Sequence, residues 1–320
     1  MSAPDASVVI CTRGRPAELE RCLRALSGLH PPAAEVVVVD NSTGDPATEA
    51  AALRSGARYV VEPCPGLSRG RNTGALAARG ALVAYTDDDA VPDPSWLGAH
   101  IPSFDDPAVA VSTGRVLPLG TTGSSETVSI DDDLGPVSYR LDRAAPDWFE
   151  RTNFGGAGIG NNIVLRRRLF DAGWRFHERL GVGTPIAGGE EHHAFFDLVR
   201  RGHTIVYVPD AIVRHGAGTT DVSRGRRRRI AAASVAYMLM LFVEHPAHRR
   251  DVLRYIATAR RRSGRPWRPP GARRGVADSR RDFVAALALG PVLYLRSLTR
   301  PVRQRHVLAH LSNRTRQGQQ

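Results

Sequence analysis

Residues 84–97 read AYTDDDAVPDPSWL, so an apolar run ends in three adjacent carboxylates, Asp87, Asp88 and Asp89. Like charges side by side repel, and a solvated turn would absorb them, but a strand that ends in packed carboxylates offers oxygen ligands to a divalent cation. A second carboxylate pair, Glu190 and Glu191, follows the glycine-rich stretch GVGTPIAGG at 181–189. Phe195, Leu198 and Val199 lie four, seven and eight residues beyond Glu191, the spacing of one helix face. Glu191 is therefore expected on the inward stripe of the first turn, with Glu190 about 100° round the helix and more exposed. An inward carboxylate beneath a glycine-rich loop is a candidate general base; a charge capping the helix N-terminus is the alternative.

The elements that must hold these acids follow from periodicity. SVVICT (7–12), EVVVVDN (35–41), ARYVVE (57–62) and ALVAYT (81–86) read as strands, the first two apolar at both parities as in a parallel strand covered on both faces. Helical spacing separates them, at 18–26, 47–53 and from 69 onward. This βαβαβαβ order predicts a doubly wound parallel sheet with right-handed crossovers, whose ligands gather outside the carboxyl ends of the strands. Thr12 and Arg13, Asp40 and Asn41, and Asp87 to Asp89 would then share one rim. CPGLSRGRNTG (64–74) adds glycines and arginines that could lie along phosphate oxygens, although it lacks the GxxxxGK[ST] pattern of a P-loop. Short strands and polar loops are expected over 98–150, with DDDLG (131–135) a solvated loop. The glycines of FGGAGIG (154–160) allow either a close ligand or a tight bend. His192 and His193 are neighbours on a helix and point apart, so packing roles are expected of them. His215 ends the strand pair TIVYVPDAIVRH and could reach the rim, as a metal ligand or phosphate contact.

The chain has 320 residues, 42% of them hydrophobic, enough for one large domain with an appendage. Cys11, Cys22 and Cys64 are too few and too irregularly spaced for a disulfide framework or a zinc site, so buried thiols in a reducing compartment are expected. No signal peptide is visible, nor an apolar run of the roughly 18 residues that a membrane span requires. The net charge of +12 is unevenly placed. Residues 221–320 carry 23 Arg against 5 acids, and residues 1–220 carry 21 Arg against 27 acids. All 44 basic residues are Arg, which we read as codon bias, since a need for guanidinium chemistry would not clear every surface Lys. RGRRRRIAAASVAYMLMLFV (224–243) and RRDFVAALALGPVLYLRSLTR (280–300) each join Arg to an apolar stretch, as helices lying at an anionic surface do. Helices that merely cap the sheet would read the same way. Between them, 260–275 reads as a Pro, Gly and Arg linker. Nucleic acid is not expected as a partner: the tail has few aromatic residues for base stacking and no base-reading motif.

SVVICTRGRPAELERCLRAL, EVVVVDNST, GLSRGRNTGALAARGALVAYTDDDAVPDPSWL and GGEEHHAFFDLVRRGHTIVYVPDAIVRH together resemble family 2 glycosyltransferases of the GT-A fold, in order, over about residues 7–215. The tail lies outside the likeness. The resemblance implies an α/β, GT-A type doubly wound, mostly parallel sheet flanked by helices over 1–220, with a nucleotide-binding half (1–98) and an acceptor half (99–220). An Arg-rich helical extension over 221–320 would follow. It also implies an inverting transfer of sugar from a nucleotide-sugar donor to a hydroxyl acceptor (a glycan, a lipid-linked or a small molecule) in cell-envelope or polysaccharide biosynthesis. The expected location is cytoplasmic, at the inner face of the membrane. Asp87 and Asp89 would be the outer acids of the DxD motif that grips the donor diphosphate through Mg²⁺ or Mn²⁺, with His215 a further ligand and Asp88 on the donor side. Asp40 would contact the base or ribose, Thr12 and Arg13 would border that pocket, and Arg69 and Asn72 would approach the diphosphate. Glu191 falls where the family's ED motif places its base. Here Glu replaces the usual Asp, which leaves Glu190 as the other candidate. A nucleotidyltransferase, or a non-catalytic membrane- or nucleic-acid-associated module, are the competing readings; CTRGRP is only a partial phosphate loop, and the intact acids speak against a vestigial pocket.

Overall fold

The computed structural model describes residues 5–119, 134–216, 224–263 and 280–302. The acids at 131–133 and most of the linker at 260–275 lie outside the described residues. The chain begins with β1 (Ala6–Thr12), α1 (Pro16–Leu26), β2 (Glu35–Asp40), α2 (Pro46–Arg54), β3 (Arg58–Val61), α3 (Leu67–Ala77) and β4 (Leu82–Asp87). It continues through β5 (Ala90–Pro92), α4 (Trp96–His100), β6 (Val109–Pro118), β7 (Tyr139–Leu141), α5 (Trp148–Phe154), β8 (Ile163–Arg166) and α6 (Arg167–Asp171). Then come α7 (Glu190–Arg200), β9 (Thr204–His215), α8 (Arg224–Glu244), α9 (Arg249–Ser263) and α10 (Arg280–Leu298).

β3-β2-β1-β4 are consecutive and parallel, as the alternation predicts, and the sheet continues β8-β6-β9-β5, with β7 beside β9. Beyond β4 the sheet is mixed: β8 is antiparallel to β4 and β6, while β9 is parallel to β6. β1 and β2 are apolar at both parities because the sheet is covered on both sides. Val8, Ile10 and Val38 pack against Leu19, Cys22 and Leu23 of α1. Val9, Val37 and Val39 face Ala75 of α3, and Ala194 and Phe195 of α7 belong to the same core farther along that face. α3 lies unusually close to the sheet: a Cβ at Gly74 would stand 2.3 Å from Val9 Cγ1 and 3.1 Å from Val39 Cγ2. That approach presses the RGRN segment against the strand ends.

The second half departs from the reading in one place. TIVYVPDAIVRH is one long strand, not a pair, its register with β6 slipping between Gly114 and Arg115. α8 packs on the domain, one of the two arrangements its sequence allows. Its Ala231, Ala232, Tyr237, Met240 and Leu241 share a core with Phe149 and Phe154 of α5, Phe196 of α7, Leu180 and Ile186. α10 packs on α8 through Ala286, Gly290, Tyr294 and Ser297, and turns Val284, Leu287, Val292, Leu295 and Leu298 outward. No single helix among the described residues is long and apolar enough to cross a membrane.

Candidate functional site

Strand register assembles the rim. Thr12 stands opposite Asp40 across β1 and β2, and Cys11 opposite Asp87 across β1 and β4, so three strands end side by side. Asp40 is fully buried. Its Oδ2 accepts from the Tyr59 hydroxyl at 2.7 Å and from the Asp45 amide at 2.8 Å. Its Oδ1, equally buried, has no hydrogen-bond partner among the described residues. A buried acceptor left unmatched costs free energy until a donor meets it, which suits an N–H of a bound ligand. Asn41 stitches the next loop together, donating to the carbonyls of Glu62 and Cys64 and accepting from the Gly66 amide at 2.7 Å.

The three acids at the end of β4 have different tasks. Asp88 is buried; it accepts from the Thr12 hydroxyl at 2.7 Å and pairs with Arg15 Nη1 at 3.1 Å. Burial outweighs both contacts and pushes its carboxyl up to about 6. Asp89 pairs with Arg15 Nη2 at 2.5 Å and with His215 Nε2 at 2.8 Å. That second contact holds Asp89 below the usual carboxylate range and raises His215. β5 and β9 make the meeting possible, since Ala90 is paired with His215 in their ladder. Asp87 has no hydrogen bond among the described residues; its nearest cation is Arg71 Nη2 at 3.9 Å, and burial raises its carboxyl. Asp87, Asp89 and His215 offer ligand atoms that all lie within 4.8 Å of one another. Two carboxylates and an imidazole are a donor set that Mn²⁺ accepts.

Arg71 links the acids to the second carboxylate pair. Its guanidinium is buried on α3, donates to the Gly160 carbonyl at 2.9 Å, and stands over the Phe176 ring. Its Nη1 meets Glu190 Oε1 at 3.2 Å. Burial and the neighbouring Glu191 raise the Glu190 carboxyl to about 7 against the pull of Arg71. Gly189, at φ +80°, caps the helix and brings the pair to the site. The burial is the reverse of the expectation: Glu190 is the buried member and Glu191 the half-exposed one. α7 is wrapped on two sides, Ala194, Phe195 and Leu198 against the sheet and Phe196 against α5 and α8, so its inward face is wider than one apolar stripe. Glu191 lines a pocket with Gly188, Gly189 and His192 on one side and Ile230, Ala233, Ser234, Tyr237 and Met238 of α8 on the other.

Most of the other expected residues are engaged within the fold. The Asn72 amide is spent on the Phe176 backbone, donating to its carbonyl at 3.0 Å and accepting from its amide at 2.9 Å. Arg69 is buried against Glu178 at 3.1 Å and donates to the Pro301 carbonyl, just past α10. Thr12 spends its hydroxyl on Asp88, and Arg13 is exposed at the rim. His193 is buried beside His177, Phe196 and His245, in keeping with a packing role. Of the cysteines, Cys22 is buried and Cys11 nearly so, but Cys64 is exposed, against the expectation of three buried thiols. The reading missed Arg15 and Arg71. Each lies two residues beyond an arginine that it named, in CTRGRP and RGRN, and only the fold shows which one turns inward. It also missed the wall supplied by α8.

The model of the family described as Glycosyl transferase family 2 matches residues 7–173. A glycosyltransferase of Mycobacterium tuberculosis is 41% identical over 101 residues, which is 31% of this chain and 45% of the relative. Glycosyltransferase AglE of Haloferax volcanii is 29% identical over 120 residues, 35% of this chain and 40% of the relative. The chain thus spans less than half the length of these relatives. Among solved structures, the mannosyltransferase PcManGT of Pyrobaculum calidifontis, in complex with GDP-Man and Mn²⁺, superposes with a TM-score of 0.54 at 17% identity, over 99% of this chain and 81% of that one. TarS of S. aureus superposes with a TM-score of 0.55 at 14% identity, over 80% of this chain and 43% of that one.

Proposed function

We propose, from the premise that this chain belongs to glycosyl transferase family 2, that it is an inverting, metal-dependent enzyme moving a sugar from a nucleotide-diphosphate donor to a hydroxyl acceptor. One observation carries the reading: Asp87, Asp89 and His215 converge at the end of β4, and Arg71 bridges from Asp87 at 3.9 Å to Glu190 at 3.2 Å, beside Glu191. The metal site and the candidate base thus lie on one continuous line of charged groups. Asp87, Asp89 and His215 would hold the cation, with Mn²⁺ favoured over Mg²⁺ because an imidazole is in the set. Bound there, it supplies positive charge for the diphosphate leaving group.

The chain's own groups do the rest. Asp40 Oδ1 receives an N–H of the nucleobase, which gives that buried acceptor its donor. Arg71 holds the Glu190 charge inside the fold and keeps the two glutamates from ionising against each other unaided. Glu191, on the pocket wall, takes the acceptor hydroxyl proton as that oxygen attacks the anomeric carbon from the face opposite the departing phosphate. A single displacement inverts that centre. The acidic cluster is tolerable because Arg15 offsets part of it at all times, while the rest would be offset by a protonated His215 in the empty site and by the cation once His215 has given up its proton to bind it.

The enzyme's place is the cytoplasmic face of the membrane, held peripherally by the basic, apolar helices of the C-terminal region. A panel of nucleotide sugars with Mn²⁺, read as nucleoside diphosphate release, tests the reaction. Release is expected with one donor class and is expected to be lost in Asp89→Ala; equal release by that variant would remove the metal assignment.

A further inference from the structure

The pocket beside Glu191 has a wall that the family likeness does not cover, since α8 begins beyond residue 173, where the family match ends. The cavity is about 200 Å³ and its lining is divided by chemistry. Phe154, Ala187, Ile230, Ala233 and Met238 present hydrocarbon. Most polar groups among them are already committed. The Tyr237 hydroxyl donates to Asn153 Oδ1 at 2.7 Å, Asn153 Nδ2 donates to the Phe149 carbonyl at 2.8 Å, and Ser234 Oγ donates back to its own helix at 3.1 Å. Titratable side chains are confined to the edge formed by Glu191 and His192 in the first turn of α7. A glycan chain needs hydrogen-bonding groups on every side of it, and here they lie along the Glu191 and His192 edge while the α8 side is mostly hydrocarbon.

We propose that the pocket receives the apolar part of the acceptor, which is therefore an amphiphilic alcohol: its hydroxyl at Glu191, its hydrocarbon or aryl portion against Phe154, Ile230, Ala233 and Met238. The inference rests on the transferase reading above and names the acceptor class of that site. In the transfer, the acceptor oxygen bonds to the anomeric carbon, the bond from that carbon to the donor phosphate breaks, and the hydroxyl proton passes to Glu191. The nucleoside diphosphate leaves with the electron pair. Ile230, 38% exposed, forms part of the wall, and α10 packs on the same helix with its apolar row turned outward. An acceptor of this kind can therefore come from an apolar phase.

The test uses the full chain and β-D-glucopyranosides with alkyl groups from methyl to octyl, below their micellar concentrations, with binding measured by calorimetry. Affinity is expected to rise about three- to fourfold per added methylene until the pocket is full. Ile230→Glu and Ser234→Trp, at an exposed and a half-buried position, should each flatten the series and weaken the octyl glycoside about tenfold, while leaving the nucleoside diphosphate's effect on melting temperature as in the parent. Equal binding of methyl and octyl glycosides to the parent would overturn the proposal, as would a chain-length slope that survives in both variants. A parent whose melting no nucleoside diphosphate raises would instead remove the transferase reading, and this proposal with it.

Discussion

Glu190 and Glu191 are neighbours in sequence in different media, and each calls for its own experiment. Glu191 lines an open pocket; replacing it with Gln keeps the shape and removes the base, so turnover is expected to fall by about 10² or more with donor affinity nearly kept. Steady-state kinetics at saturating donor check this, and a larger loss from Glu190→Gln would exchange the two roles. Glu190 is buried against Arg71 and titrates at about 7, raised by burial and by Glu191. Below that pH it takes a proton and leaves Arg71 facing Asp87 and Glu191 with less compensation. kcat/KM should therefore rise with pH through a midpoint near 7, and a pH–rate profile of Glu190→Gln should lack that limb. The same raised carboxyl also has a stability sign: its contribution is full below about 4.5, the ordinary value, and is lost as pH rises through about 7. The residue types were legible from sequence, but the direction of each side chain was not. Residues 190, 194 and 198 form one helical row and 191, 195 and 199 the next, and only packing on both sides of α7 shows which row is deeper.

Among the elements, α3 fixes the most geometry, because it carries Arg69, Arg71 and Asn72 past the ends of β1 and β2. Its closeness to the sheet depends on Gly74, where a Cβ would stand 2.3 Å from Val9. Gly74→Val should lower stability by about 1–3 kcal/mol or more through overpacking, read as a lower urea midpoint, despite the poor helix propensity of glycine. An unchanged midpoint would mean that α3 can lift from the sheet at little cost, and the account of how Arg71 is aimed would then fail. The βαβαβαβ half was readable because each parallel strand is covered on both faces and so is apolar at both parities, a pattern that needs no partner to be recognised. The second half hid its order. β8 and β5 are short, and β9 changes register midway, so nothing local indicates which strand lies beside which. His215 was legible as a strand end; that β5 would bring it to Asp89 depended on pairing between residues 126 apart.

Over the whole molecule, the split in charge has a structural counterpart. Residues 1–220 bear the excess of acids and residues 221–320 carry 23 Arg against 5 acids, yet the two regions share the core in which α8 meets α5 and α7. Cutting the chain at 221 would bare Phe149, Leu180, Ile186 and Phe196, so a truncated protein would test folding more than membrane binding. A point change on α10 separates the two. Val292 and Leu295 are 47% and 61% exposed on the outer row, while Gly290 and Tyr294 hold the inner one against α8. If that outer row dips into the interface of an anionic bilayer, each large aliphatic withdrawn removes about 1.5–3 kcal/mol of burial, and a glutamate in its place adds repulsion. Val292→Glu with Leu295→Glu should thus reduce sedimentation with anionic vesicles at least about tenfold, leaving the nucleoside diphosphate's effect on melting intact. Raising the salt should weaken the parent's binding only in part, because it screens the arginines and leaves the apolar row untouched. Undiminished sedimentation of the double variant would assign the membrane contact to charge alone, and α10 would need another partner for its outer face.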